Sequence, residues 1–166
     1  MQTNGRPGPR DRLDGPTASD VDTLQLATRD LVGIALRSVA ATTGDVSLAQ
    51  FRMLWTLAVI GPSSSAQVAN ALGVGASSVT RLADRLQHSG YLERGSEPTN
   101  RRVVTLDLTT AGHELVKRVL QWRKDELTRI LSLLGPDVRA GLVDGLHAMH
   151  QGVGEEYASE TGPLPL

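Results

Sequence analysis

The chain has 166 residues, of which 40% are hydrophobic and 21% charged, a balance typical of a single globular domain. Only 3% are aromatic, so the core must be built mainly from Leu, Val and Ala, which favours helices over a sheet-rich fold. The absence of cysteine excludes disulfides, thiolate catalysis and cysteine-ligated zinc. The formal net charge of -1 gives no overall basic excess, so any attraction to nucleic acid must be local.

Both ends of the sequence are predicted to be flexible. Residues 1–18 are rich in Gly, Pro, Arg and Asp and lack the apolar stretch of a signal peptide. Residues 154–166 form a tail that we expect to pack poorly. The most apolar later segment is interrupted by Arg37, so no membrane span is expected. A single cytoplasmic domain over residues 19–153 is therefore predicted.

Helical periodicity dominates the first third of this domain. Apolar residues recur with a spacing of three and four between Asp20 and Thr42, which predicts a first helix. Ser47 is a candidate N-cap, with Gln50 three residues later as its capping-box partner, and a second helix follows as far as Gly61.

Two short helices separated by a glycine-containing turn come next. The first is capped within Ser63–Ser65 and ends at Gly73. The second begins between residues 76 and 78, ends at Gly90 and is predicted to bury three apolar residues, namely Val79, Leu82 and Leu86. This spacing predicts a helix-turn-helix, in which the second helix can enter the major groove of DNA.

The opposite face of the second short helix is polar. Ser and Thr hydroxyls and two arginines can hydrogen-bond to base edges or phosphates. The candidate DNA-binding residues of the two helices are Ser64, Ser65, Gln67, Ser77, Ser78, Thr80, Arg81 and Arg85. Taken alone, the same pattern is compatible with an ordinary solvent-exposed helix.

A basic hairpin follows directly and strengthens the DNA-binding interpretation. Strands are predicted near Tyr91–Leu92 and over residues 103–108, with a polar turn between them. The hairpin carries Arg94, Arg101 and Arg102, which could lie along a minor groove or its phosphates. Two further helices are predicted, one as far as Gly135 and one from Pro136 to about Val153.

The ordered motifs resemble the MarR family of transcriptional regulators. They are Ser-Ser-Val-Thr-Arg-Leu over residues 77–82, Ser-Gly-Tyr-Leu-Glu-Arg over 89–94, Arg101-Arg102, and Leu-Thr-Thr-Ala-Gly over 108–112. The resemblance implies a mainly helical fold of about six helices, with a winged helix-turn-helix over about 47–110. It also implies a homodimer joined through helices at about 20–43 and 110–153.

The resemblance further implies a function for this fold. A repressor of this kind would bind a pseudo-palindromic operator in double-stranded DNA and would be released by a small-molecule effector. The implied effector pocket lies near Phe51 and Trp55, although such a pair is also common in an ordinary helical core. The sequence departs from the family pattern at Asn100, where the family usually has an aspartate before the paired wing arginines.

Other functions have weaker support. His147 and His150 are three residues apart, but no further ligand motif accompanies them, so no metal and no cofactor are predicted. No nucleophile elbow, P-loop or dinucleotide fingerprint is present, which argues against an enzyme. The open alternative is a winged-helix module that binds a protein partner and not DNA.

Overall fold

The structure, a computed structural model, describes residues 15–96 and 104–161, with side chains as far as Val153. Within these residues it contains six helices and a small antiparallel sheet, as the sequence predicts. In chain order the elements are α1 (Ala18–Thr43), α2 (Leu48–Ile60), β1 (Ser63–Ser64), α3 (Ser65–Leu72), α4 (Ala76–His88), β2 (Leu92–Ser96), β3 (Val104–Leu108), α5 (Thr110–Ser132) and α6 (Pro136–Thr161).

Capping boxes fix the starts of the first three helices. In each box the N-cap hydroxyl accepts a hydrogen bond from a backbone N–H, and a side chain three residues later accepts one from the N-cap backbone. The pairs are Thr17–Asp20 for α1, Ser47–Gln50 for α2 and Ser64–Gln67 for α3. The box predicted at Ser47 is confirmed.

Two glycines set the geometry of the helix-turn-helix. Gly73 ends α3 with a φ of 65°, and its N–H donates to the carbonyl groups of Ala69 and Asn70. Gly90 follows the end of α4 with a φ of 77°. A residue with a Cβ rarely adopts this left-handed conformation. Glycine is therefore favoured at both positions, which sequence analysis predicted as the ends of the two short helices.

The sheet has the strand order β1-β3-β2, with both pairs antiparallel. The predicted hairpin is present, and its register pairs Leu92 with Leu108 and Ser96 with Val104. The third strand, β1, was not predicted, because a strand of two serines has no periodicity to detect. It pairs Ser63 with Leu106 and so joins the start of α3 to the wing.

The core lies around α2 and reaches α3, α4, the sheet and α5. Phe51, Leu54, Val79, Leu86 and Leu115 have no exposed surface. The prediction that Leu82 is buried was wrong: the neighbouring Ala83 takes the fully buried position, and Leu82 packs against the edge of the core. A helix with 3.6 residues per turn buries Val79, Ala83 and Leu86 on one stripe.

The first part of α1 and the whole described surface of α6 are exposed. Every residue from 18 to 32 and from 135 to 153 is exposed, whereas the later part of α1 packs against α5. No single helix in the described residues is both long and apolar enough to cross a membrane; α1 and α2 reach that threshold only together, and they are bent by 91°.

Candidate DNA-binding surface

The exposed face of α4 carries the residues that sequence analysis selected. Ser77, Thr80, Arg81 and Arg85 are exposed, and Ser78 is half-buried beside them. The Thr80 hydroxyl donates a hydrogen bond to the Ala76 carbonyl group at 3.1 Å. The helix therefore presents two arginines and several small polar side chains to solvent while its other face is held in the core.

The start of α4 differs from the starts of α1, α2, α3 and α5. Its N-cap is Gly75, which has no side chain to accept from the first-turn N–H groups, whereas each of the other four helices has a capping Ser or Thr. First-turn N–H groups and the helix dipole favour phosphate oxygens. The start of α4, the candidate recognition helix, is thus suited to contact a DNA backbone.

Two candidate residues at the start of α3, Ser64 and Gln67, are already engaged within the protein. Gln67 Oε1 accepts hydrogen bonds from the Ser64 backbone N–H at 2.8 Å and from the Ser64 hydroxyl at 2.9 Å. Ser65 is half-buried. These side chains primarily fix the start of α3, and the sequence pattern that suggested DNA contacts is also that of a capping box.

The wing arginines fall into two groups. Arg94 lies on β2, where its Nη2 atom donates to Asp84 Oδ1 of α4 at 2.5 Å. Asn100, Arg101 and Arg102 lie outside the described residues. Asp84 lies on the exposed polar face of α4, but its partner on the wing could not be read from the sequence.

The suggested effector residues are not among those that line an apolar cavity between α1 and α5. Phe51 is completely buried in the core and Trp55 packs against that core. A cavity of about 340 Å³ instead lies between α1 and α5. It is lined by Thr28, Leu31, Val32, Ile34, Ala35, Arg123 and Leu127.

Arg123 is the charged residue among those that line this cavity. Its guanidinium is largely buried and donates to the Ser38 hydroxyl at 3.0 Å from Nη2 and 3.4 Å from Nε. Burial lowers the pKa of Arg123 from its ordinary value. Sequence reasoning missed this residue, although a signal was present: Arg123 interrupts the apolar stripe formed by Val119 and Leu127.

Metal-ligating side chains do not cluster in the part of the chain that is described. No group of three or more His, Cys, Asp or Glu residues there could hold an ion. His147 and His150 lie exposed on α6. The candidate functional site is therefore the surface of α4 and β2, where arginine and hydroxyl side chains are exposed on one helix and the neighbouring strand.

A helix-turn-helix followed by a β-hairpin, with the polar face of the second helix exposed, defines a winged helix-turn-helix protein. The comparisons with known proteins agree with this class. A model of the MarR family matches residues 46–104. The structure of RV1404 from Mycobacterium tuberculosis has a TM-score of 0.75 and 35% identity, and the match covers 83% of this chain and 96% of that one. The chain belongs to the MarR family.

Two curated relatives from Bacillus subtilis are transcriptional regulators by name. The HTH-type transcriptional regulator YfiV is 29% identical over 102 residues, which cover 61% of this chain and 64% of YfiV. The HTH-type transcriptional repressor MdtR is 35% identical over 89 residues, covering 54% of this chain and 57% of MdtR. The chain thus spans less than two thirds of either relative, and neither supports the alternative of a protein-binding module.

Proposed function

We propose that this chain is a homodimeric transcriptional repressor that binds a pseudo-palindromic operator in double-stranded DNA. The observation that carries the proposal is the exposed polar face of α4, with Arg81 and Arg85 above a fully buried stripe. The repressor name of MdtR supports the direction of regulation. A regulator that reads genomic DNA would act in the cytoplasm.

In this proposal α4 lies in the major groove. Ser77, Ser78 and Thr80 allow a close approach to the bases, while Arg81 and Arg85 reach base edges or phosphates. The wing residues Asn100, Arg101 and Arg102 and the residues at the start of α3, Ser64, Ser65 and Gln67, complete the candidate surface. Arg94 supports this surface from β2 through its ion pair with Asp84. The uncapped start of α4 adds backbone N–H groups that suit a phosphate.

The dimer is proposed to form through α1 and α6. On α6, apolar side chains spaced by three and four residues remain 40–64% exposed, a stripe formed by Val138, Leu142, Leu146, Met149 and Val153. On α1, Leu24 and Leu31 are similarly exposed at 53% and 49%. Contiguous apolar surface of this kind is typical of an interface. The proposed division is a DNA-binding core over about 47–110, with dimerisation helices at about 20–43 and 110–153.

The effector is proposed to enter the cavity between α1 and α5. An apolar wall with one buried cation suits a small molecule that has an apolar body and an anionic group. Because α1 belongs to the proposed dimer interface, a ligand there can favour one dimer geometry over another. Repression would end when the two recognition helices no longer fit successive major grooves.

Selection of bound fragments from genomic DNA, repeated over a salt series, tests this function. We expect one enriched inverted repeat with half-sites about one helical turn apart. The logarithm of the binding constant should fall with the logarithm of salt concentration, with a slope of roughly 0.9 per neutralised phosphate. Enrichment of no sequence, together with binding that does not respond to salt, would refute the proposal.

A further inference from the structure

Among the described residues, an ion pair links α4, the proposed recognition helix, to β2 of the wing. Arg94 of β2 donates to Asp84 of α4 at 2.5 Å, across ten residues of sequence. Asp84 lies one residue before Arg85 and three after Arg81, so it stands within the proposed DNA-binding face. A free carboxylate in that place would repel DNA phosphates.

The register of the sheet explains why Arg94 turns towards α4. Residues directly opposite each other in an antiparallel pair point to the same face. Arg94 pairs with Leu106, and Leu92, two residues earlier, pairs with Leu108. All three leucines are buried, so Arg94 lies on the face of β2 that covers the helices, and its guanidinium reaches Asp84.

The other face of β2 provides a contrast. Glu93 pairs with Asp107 and Gly95 pairs with Thr105, which puts two carboxylates side by side on the face away from the core. Glu93 is exposed. The hairpin therefore carries acidic groups on its outer face and directs Arg94 inward.

We infer that Asp84 and Arg94 are positioning residues that fix the wing at a set orientation to the recognition helix. Asp84 makes no base contact in this arrangement, and Arg94 acts through Asp84 and not primarily through a phosphate. The pair also neutralises the carboxylate on the DNA-facing helix. We call the Asp84–Arg94 ion pair the brace. Its consequence for DNA binding rests on the proposed function, whereas its effect on the hairpin can be tested without DNA.

Hydrogen exchange of the free protein tests the brace. Amides of residues 93–96 and 104–107 should exchange about two- to fivefold faster in Asp84→Ala and in Arg94→Ala, the range that exposed ion pairs support. The charge-swapped double variant Asp84→Arg/Arg94→Asp should restore slow exchange. Glu93→Ala is the matched control: it removes a carboxylate that lies opposite Asp107, so exchange should be unchanged or slower, and not faster. Wild-type exchange of the hairpin in both single variants, with the core helices still protected, would overturn the inference.

Binding to the selected operator gives the second readout. Asp84→Ala should weaken operator binding by about two- to fivefold per half-site, even though it removes a negative charge from the DNA-binding face. Glu93→Ala removes the same charge from the outer face and should leave operator binding unchanged or tighter. Arg94→Ala should weaken operator binding at least as much as Asp84→Ala, because it leaves the Asp84 carboxylate without its partner on the DNA-facing helix.

The experiments distinguish a failure of the positioning role from a failure of the proposed function. Operator binding by Asp84→Ala that is as tight as that of Glu93→Ala overturns the positioning role. Additive effects of Asp84→Ala and Arg94→Ala in the double variant would do the same, because groups that act through each other are not additive. A wild-type protein that selects no operator refutes the proposed function, while the exchange experiment still decides whether the brace exists.

Discussion

Gly112 at the start of α5 lies so close to the Tyr91 carbonyl group that a Cβ on residue 112 would overlap the carbonyl oxygen. The hydrogen bonds around this contact join the same two segments. The Thr109 backbone N–H donates to the Tyr91 carbonyl group at 3.2 Å, and the Thr109 hydroxyl donates to the Gly90 carbonyl group at 2.7 Å. The residues after the recognition helix are thus bound directly to the start of the long helix α5.

Replacing Gly112 by alanine should destabilise the fold. The added methyl group meets backbone atoms, which cannot rotate away, so we expect a loss of about 1–3 kcal/mol in the free energy of unfolding. Urea denaturation measures the loss. Gly33→Ala in α1 is the matched control, because nothing lies within 4 Å of a Cβ there, and it should be neutral or slightly stabilising. Equal stability of the two variants would contradict the close contact.

Arg81→Ala should weaken operator binding without unfolding the protein. Arg81 is exposed on α4, and loss of an arginine that contacts a base costs about 1–3 kcal/mol of binding free energy, with relaxed specificity at one position. Fluorescence anisotropy on the operator and on a scrambled duplex measures both effects. Arg118→Ala, on the exposed face of α5, is the control, and an equal loss in both variants would remove Arg81 from the site.

A lysine in the apolar stripe of α6 should separate the proposed dimer. Leu146 is 41% exposed in one chain, and burying an ammonium group at that position against a second copy is strongly unfavourable. Light scattering coupled to size exclusion should report a monomer for Leu146→Lys at micromolar concentration. Val59→Lys replaces an apolar residue of α2 that is 53% exposed and should leave the dimer intact. A wild-type monomer would refute this arrangement.

Anionic probes should bind at the α1–α5 cavity in preference to neutral ones. With benzoate at ten times its dissociation constant, the stabilisation should be about 1.4 kcal/mol. Benzamide at the same concentration should stabilise less, because it lacks the carboxylate that is proposed to contact Arg123. Thermal unfolding measures the difference. Ala35 lines the cavity, so Ala35→Met should fill part of it and abolish the stabilisation by benzoate. Equal stabilisation by both probes would argue against Arg123 as the anion partner.

The start of α1 should loosen at low pH. Hydrogen bonds from the Thr17 hydroxyl and backbone N–H, both 2.7 Å long, hold the pKa of Asp20 below its ordinary value of 3.8. A lowered carboxyl pKa contributes stability above the ordinary pKa, and that contribution is lost as the pH falls through the lowered value. NMR chemical shifts of the amides in the first turn measure this fraying, and Asp20→Asn should remove the pH dependence.

Sequence analysis located the elements of the fold well because their ends carry strong local signals. The capping box at Ser47 and the stops at Gly73 and Gly90 depend on residues adjacent in the chain. The contacts at the α1–α5 cavity depend on residues far apart in the chain, as in the Ser38–Arg123 hydrogen bonds between α1 and α5. Periodicity cannot reveal such pairs, and it misplaced Leu82 because Ala83 fits the tighter position in the core.

The strand order β1-β3-β2 limits how the protein can move. Because β3 pairs on one side with the residues that open α3 and on the other with β2, the helix-turn-helix and its hairpin share one hydrogen-bonded ladder. Tyr91, Thr109 and Gly112 then connect that ladder to α5. In the proposed dimer, a ligand in the cavity would therefore move the helix-turn-helix, the hairpin and α5 together, and would change the distance between the two helix-turn-helix units without altering the shape of either.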